Sequence, residues 1–203
     1  RYGPRGVFAR GNDVESANIQ RNVGAMLCSV SSTLTTLSLK NIDIDAAYIK
    51  DALFPNLNTL QLDYCGDGAA GVAVLLARSS ASLQNLRLCE GFDQSTRMKG
   101  LSYLPPSQLL SLHIGLINGE LGETLQHMLK NGVFEKLRCM RFDSGDFSID
   151  YLGGAVMPEL RTLQLPNLFM YRSLRTEDSH FDGFSRLMAP SLRTLNFHSD
   201  ART

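Results

Sequence analysis

Apolar residues recur along this chain at one fixed spacing, Leu-x-x-Leu-x-Leu, with Ile, Met or Phe in a few of the places. The segments are Leu34, Leu37, Leu39; Leu57, Leu60, Leu62; Leu83, Leu86, Leu88; Leu109, Leu112, Ile114; Leu137, Met140, Phe142; Leu160, Leu163, Leu165; and Leu192, Leu195, Phe197. All of these positions are apolar in a chain that is 43% hydrophobic, an agreement that independent draws give about once in fifty million. The last two apolar residues of each segment are two apart, which predicts a short strand with both pointing inward and the residue between them pointing out.

The first leucines are 23, 26, 26, 28, 23 and 32 residues apart. A strand and a loop use fewer residues than that, so the remainder predicts helix on the return path. Leu121, Leu125, Met128 and Leu129 fall on one helical face around Gly122–Asn131, and Phe181, Phe184, Leu187 and Met188 do so after the N-cap candidate Ser179. Val72, Leu75 and Leu76 mark a third helix and Ala46, Ile49 and Leu53 a fourth, while Glu15–Cys28 predicts another beginning near Asp13.

Strands that return at a fixed period stack in parallel, and helices on one side with strands on the other force curvature. The expected fold is therefore α/β: a leucine-rich-repeat solenoid, a ribonuclease-inhibitor-like horseshoe arc with a parallel concave sheet and outer helices. Residues 1–31 are expected to form an N-terminal helix, incomplete repeat or cap. Residues 32–203 are expected to form the leucine-rich-repeat domain of about seven repeats.

In that arrangement the outward residues form columns. The middle column is Ser38, Gln61, Arg87, His113, Arg141, Gln164 and Asn196, with no apolar member. Before it runs Thr36, Thr59, Asn85, Ser111, Cys139, Thr162 and Thr194; after it runs Lys40, Asp63, Cys89, Gly115, Asp143, Pro166 and His198. Arg87, His113 and Arg141 on adjacent rungs, roughly 5 Å apart, repel unless an acid neutralises them. Asp63 and Asp143 at the rim are internal candidates, and an acidic peptide from a partner is the functional alternative. Gln61, Asp63, Arg87, His113, Arg141, Asp143 and Gln164 are thus the candidate partner-binding residues of the concave face. Arg138, Arg161 and Arg193 form a second basic line, read first as a solvated rim.

The longest interval carries Phe169, Met170, Tyr171 and Arg172. This aromatic and arginine cluster is either a binding loop that anchors a partner or a filling of the wider repeat. After His198 only Ser199–Thr203 remain, with no helix to cover the final repeat. Terminal repeats need a polar cap, so the chain is expected to continue or to associate end to end there. Arg1 opens the chain without an initiator Met, as in a processed product or a piece of a longer protein.

Composition narrows the function classes. Twenty basic and twenty acidic residues balance, without the surplus that draws a protein to nucleic acid or an anionic membrane, and no apolar run approaches a membrane span. Cys28, Cys65, Cys89 and Cys139 have no paired or His-clustered spacing, and no Asn-x-Ser/Thr acceptor is present. An intracellular setting, cytoplasmic or nuclear, without metal or cofactor is expected. The four histidines are scattered, Gly153-Gly154 reads as a turn, and nucleophile-elbow, zinc-hydrolase and phosphate-loop motifs are missing. A binding protein rather than an enzyme is expected, recognising a protein or peptide.

The stretch Leu57-Asn-Thr-Leu-Gln-Leu-Asp-Tyr-Cys65, followed by Gly-Asp-Gly and an apolar run to Leu76, resembles the cysteine-containing repeats of F-box/leucine-rich-repeat proteins, the divergent fungal set above all. Only this repeat carries the Cys; the equivalents are Ile42, Gly91, Ile117, Gly145, Leu168 and Asp200. The resemblance implies recruitment of substrates to a ubiquitin ligase through the concave face and its loops, with the F-box upstream of the repeats. A stoichiometric regulator or inhibitor of an enzyme, or an orphan repeat fragment, is the alternative reading.

Overall fold

Each apolar triplet closes a strand against the next one along the chain. The structure is a computed structural model, described here for residues 13–42, 44–63, 69–79, 81–89, 108–117, 119–130, 134–145, 148–166 and 186–198. The strands are β1 (Thr36–Lys40), β2 (Thr59–Asp63), β3 (Asn85–Leu88), β4 (Ser111–Ile117), β5 (Cys139–Gly145), β6 (Thr162–Pro166) and β7 (Thr194–His198). They form one open sheet in sequence order, every pair parallel. The chain is therefore an α/β protein with a seven-stranded parallel sheet.

The register is the one the apolar spacing dictates. Leu37, Leu60, Leu86, Leu112, Met140, Leu163 and Leu195 face one another in an unbroken line. A slip of one residue would turn every one of them to the opposite face, so burial pins the pairing. Of the repeated apolar positions, all are buried except Leu34 and Leu192, which are partly exposed, and Leu195 and Phe197, which are 42% and 46% exposed. These exceptions belong to the first and last segments, beside the two edge strands of the described sheet.

A second repeated device lies just before each strand from β2 to β7. The amides of Asn58 and Thr59 both donate to the Thr35 carbonyl, those of Gln84 and Asn85 to Asn58, and those of Leu110 and Ser111 to Gln84. The same fork recurs from Arg138 and Cys139 to Leu110, from Arg161 and Thr162 to Arg138, and from Arg193 and Thr194 to Arg161. One turn earlier, Leu57, Leu137, Leu160 and Leu192 donate to the carbonyls of Phe54, Phe134, Met157 and Ala189. Pro55, Pro158 and Pro190 sit at the second position of three of these turns, where a fixed φ suits the bend. Phe54, Phe134 and Met157 are buried, so three of the four turns also contribute a core side chain.

The return paths follow the interval lengths. The 26- and 28-residue intervals from Leu57 and Leu109 hold α3 (Ala69–Ser79) and α4 (Gly119–Lys130), whereas among the described residues the 23-residue intervals hold only α2 (Ala46–Ile49) and a 3-10 turn (Ile149–Leu152). Helix on every return path was the expectation, and the two shortest paths correct it: too few residues remain for more than one turn. Leu53 is likewise not on a buried helical face but 57% exposed, and Phe54 takes the core position instead. The first helix, α1 (Asp13–Val30), precedes the sheet. Val72, Leu75, Leu76, Leu125, Met128 and Leu129 join the strand leucines in one core. Fully burying such a side chain stabilises by about 1.5–3 kcal/mol.

Close approach requires a glycine between α2 and α3, because a Cβ on Gly71 would run into the Ile44 carbonyl. Gly154 lies in the turn expected of the Gly153-Gly154 pair and has φ 82°. Cys65 and the first part of the helix expected after Ser179, with Phe181 and Phe184, lie outside the described residues. Its last two positions correct the expectation, since Leu187 and Met188 are not helical and Met188 instead bridges Val156 in parallel and is 57% exposed. Among the described residues, no helix is long and apolar enough to cross a membrane.

Candidate functional site

The face of the sheet opposite the core carries the middle column. Ser38, Gln61, Arg87, His113, Arg141, Gln164 and Asn196 pair rung to rung from β1 to β7, and none is buried. Alternation along each strand puts them there: with the flanking leucines committed to the core, the residue between has the other side to itself.

Several of these residues are held by the residue two further along their own strand, which projects from the same face. Gln61 Nε2 donates to Asp63 Oδ2 at 3.1 Å, Arg87 Nε to Cys89 Sγ at 2.9 Å, and Arg141 Nε to Asp143 Oδ1 at 2.7 Å. Two bridges cross between strands. Asp63 Oδ1 lies 3.8 Å from Arg87 Nε, and Asp143 Oδ2 lies 2.6 Å from His113 Nε2. In the preceding column Asn85 Nδ2 reaches back to Asn58 Oδ1 at 3.1 Å.

Ionisation follows from these contacts. Burial alone would raise the Asp63 carboxyl, but hydrogen bonds from Cys89 and Gln61 and the charges of Arg87 and Lys40 outweigh it and hold it below the usual range. Asp143 is held low in the same way, by hydrogen bonds from Arg141 and His113 that overcome its burial. Burial, the largest influence, and the charges of Arg141 and Arg87 together hold the His113 imidazole below its ordinary value, although the hydrogen bond and charge of Asp143 raise it. The His113 to Asp143 contact is thus a hydrogen bond from a neutral ring at pH 7, not an ion pair. Burial, and then the Asp63 carboxylate, push the Cys89 thiol up to about 11. It is a hydrogen-bonding thiol here, not a thiolate nucleophile.

Gln61, Asp63, Arg87, His113, Arg141, Asp143 and Gln164 therefore lie together on one face, as the spacing predicts. The mutual repulsion expected of Arg87, His113 and Arg141 is relieved internally by Asp63 and Asp143 and by the neutrality of His113. The part of Cys89 as an anchor for Arg87 was not foreseen, although its position two residues after Arg87 was visible. Arg138, Arg161 and Arg193 are exposed along the leading edge, and Arg138 Nε pairs with Glu159 Oε2 at 3.0 Å, consistent with a solvated rim. Phe169, Met170, Tyr171 and Arg172 lie outside the described residues. Among the described residues, no group of three or more His, Cys, Asp or Glu side chains is placed to hold a metal ion. The face offers fixed donors and acceptors on a broad polar surface, chemistry suited to binding.

Comparison with known protein families, with curated proteins and with solved structures gives no match.

Proposed function

We propose that this chain is a leucine-rich-repeat solenoid that recognises a protein or peptide on its polar sheet face, stoichiometrically and without a cofactor. One observation carries the reading: an in-register row of unburied polar side chains crosses all seven strands, several of them fixed by hydrogen bonds along or between strands. Side chains ordered before a partner arrives lose less freedom when it binds, which makes such a row a better recognition surface than a mobile one. The parallel sheet in sequence order and the repeated amide forks support the solenoid. The resemblance around Leu57–Cys65 gives the role a specific form, recruitment of a substrate to a ubiquitin ligase inside the cell.

Photo-crosslinking tests it. A crosslinker placed singly at Ser38, Gln164 or Asn196 on the polar face captures one common partner from the source cell, and the same group at Glu135 or Lys136, exposed before β5, does not. A partner captured from Glu135 and Lys136 but not from Gln164 would overturn the assignment of the face. Ubiquitin-ligase subunits co-purifying with the full chain would support recruitment; a single enzyme held one to one would instead support regulation.

A further inference from the structure

Across its centre the polar row reads Gln61, Arg87, His113, Arg141, Gln164, the same in both directions. The symmetry extends to how the arginines are held. Each is tethered through Nε to the residue two along its own strand, Arg87 to Cys89 and Arg141 to Asp143. Neither uses its terminal nitrogens for a further partner among the described residues, and the two side chains are 45% and 42% exposed. The neutralising acids sit lower, with Asp63 15% and Asp143 30% exposed. Total charge balances, but the outermost layer is cationic at two points with a neutral imidazole between them.

We infer that Arg87 and Arg141 form a two-pronged clamp for an acidic peptide in polyproline II conformation, lying across the strands with carboxylates at positions i and i+3. The inference rests on the recognition reading above and names its ligand class. Arg87 and Arg141 are two strand spacings apart, roughly 9.6 Å at about 4.8 Å per step. A polyproline II helix has three residues per turn and rises about 3.1 Å per residue, so its i and i+3 side chains share a face about 9.3 Å apart. A β-strand misses this span, its same-face side chains repeating at about 6.7 and then about 13.4 Å. An α-helix approaches it with i and i+7, at about 10.5 Å, but its backbone groups are already bonded. A polyproline II backbone has no internal hydrogen bonds, so its carbonyls and amides are open to the side-chain amides of Gln61 and Gln164, which flank the two arginines in the row. Guanidinium nitrogens left free at a fixed geometry suit a carboxylate, which accepts two parallel hydrogen bonds.

Fluorescence anisotropy with labelled proline-rich peptides tests the clamp on the full chain. The probes carry two glutamates three apart (Glu-Pro-Pro-Glu), two adjacent glutamates, or glutamines in their place. The three-apart peptide binds about fivefold tighter than the adjacent one, the gain expected of one further exposed ion pair. Arg87→Gln and Arg141→Gln each lower its affinity about fivefold and, with one prong gone, abolish the preference for spacing. Both substitutions are at exposed tips, and an unchanged thermal midpoint confirms that the fold is kept. Equal binding of the two spacings, a preference that survives in Arg141→Gln, or no binding by any probe overturns the clamp. If that happens while crosslinks remain confined to the polar row, the clamp fails and the recognition reading stands; crosslinks that avoid the row remove both.

Discussion

His113 Nε2 on β4 lies 2.6 Å from Asp143 Oδ2 on β5, and the other oxygen of the same carboxylate accepts from Arg141 Nε at 2.7 Å. One carboxylate thus ties together two strands and two of the three nitrogenous side chains at the centre of the row. Charged groups face His113 from both sides: Arg87 from β3, Arg141 and Asp143 from β5. Since the folded state lowers the imidazole below 6.5, the unfolded chain binds its proton first on acidification. Stability from this group is complete above that value and falls as pH drops from there towards the folded value.

Urea midpoints are therefore expected to hold between pH 8 and 7 and to decline through pH 6 and 5, with His113→Gln flattening the decline. Asp63 and Asp143, held below 3.8, contribute stability that is present above that value. It is lost only as pH falls through their lowered values, so they do not contribute to the first decline. A midpoint that rises on acidification from 7 to 5 would contradict the burial of a neutral His113.

Leu112 is at the centre of the apolar line and fully buried, while Leu195 occupies the same repeat position at 42% exposure. Leu112→Ala is expected to cost about 2–5 kcal/mol in urea unfolding. Leu195→Ala removes less buried surface and should cost below about 1 kcal/mol. Similar costs would mean that β7 is covered as completely as β4.

Gly71 and Gly154 separate two reasons for a glycine. Gly71→Ala puts a methyl group into the Ile44 carbonyl, and the displacement of α3 from α2 should cost about 1–3 kcal/mol. Gly154 has open space around it and a left-handed φ of 82°, which Asn enters readily. Gly154→Asn is expected to leave the thermal midpoint close to that of the parent, whereas Gly71→Asn lowers it. Equal effects would show that contact at Gly71 is not limiting.

Thiol labelling should rank the cysteines by exposure and ionisation. Cys28 is exposed on α1, where its thiol donates to the Tyr48 carbonyl at 3.2 Å. Cys89 is buried and pushed up to about 11. In the folded chain a maleimide at pH 7.5 is expected to modify Cys28 well before Cys89, read by mass spectrometry of the digested protein. Cys89 reacting first would contradict its anchoring to Arg87.

The apolar spacing alone was enough to place all seven strands and their register, because a period-two pattern leaves one choice of face per strand. It also placed Gln61, Arg87, His113, Arg141 and Gln164 side by side. The return paths were less legible. A few apolar residues at helical spacing, such as Ala46, Ile49 and Leu53, do not distinguish a helix from one turn followed by a bend, and here the interval length decides. The bonds within the site were hidden for another reason: which acceptor an arginine takes depends on rotamer and on neighbouring strands. Asp63 and Asp143 were visible as acids at the rim, but Cys89 as the acceptor for Arg87 was not, because free cysteine reads as a small apolar residue.

Every functional statement depends on the central row being continuous in space. Cross-strand amide to Hα nuclear Overhauser effects on the isotope-labelled full chain test this most directly. The expected result is a parallel-sheet pattern linking Gln61 to Arg87, Arg87 to His113, His113 to Arg141 and Arg141 to Gln164 in turn. Antiparallel connectivities, or contacts that join Arg87 and Arg141 to different sheets, would contradict it.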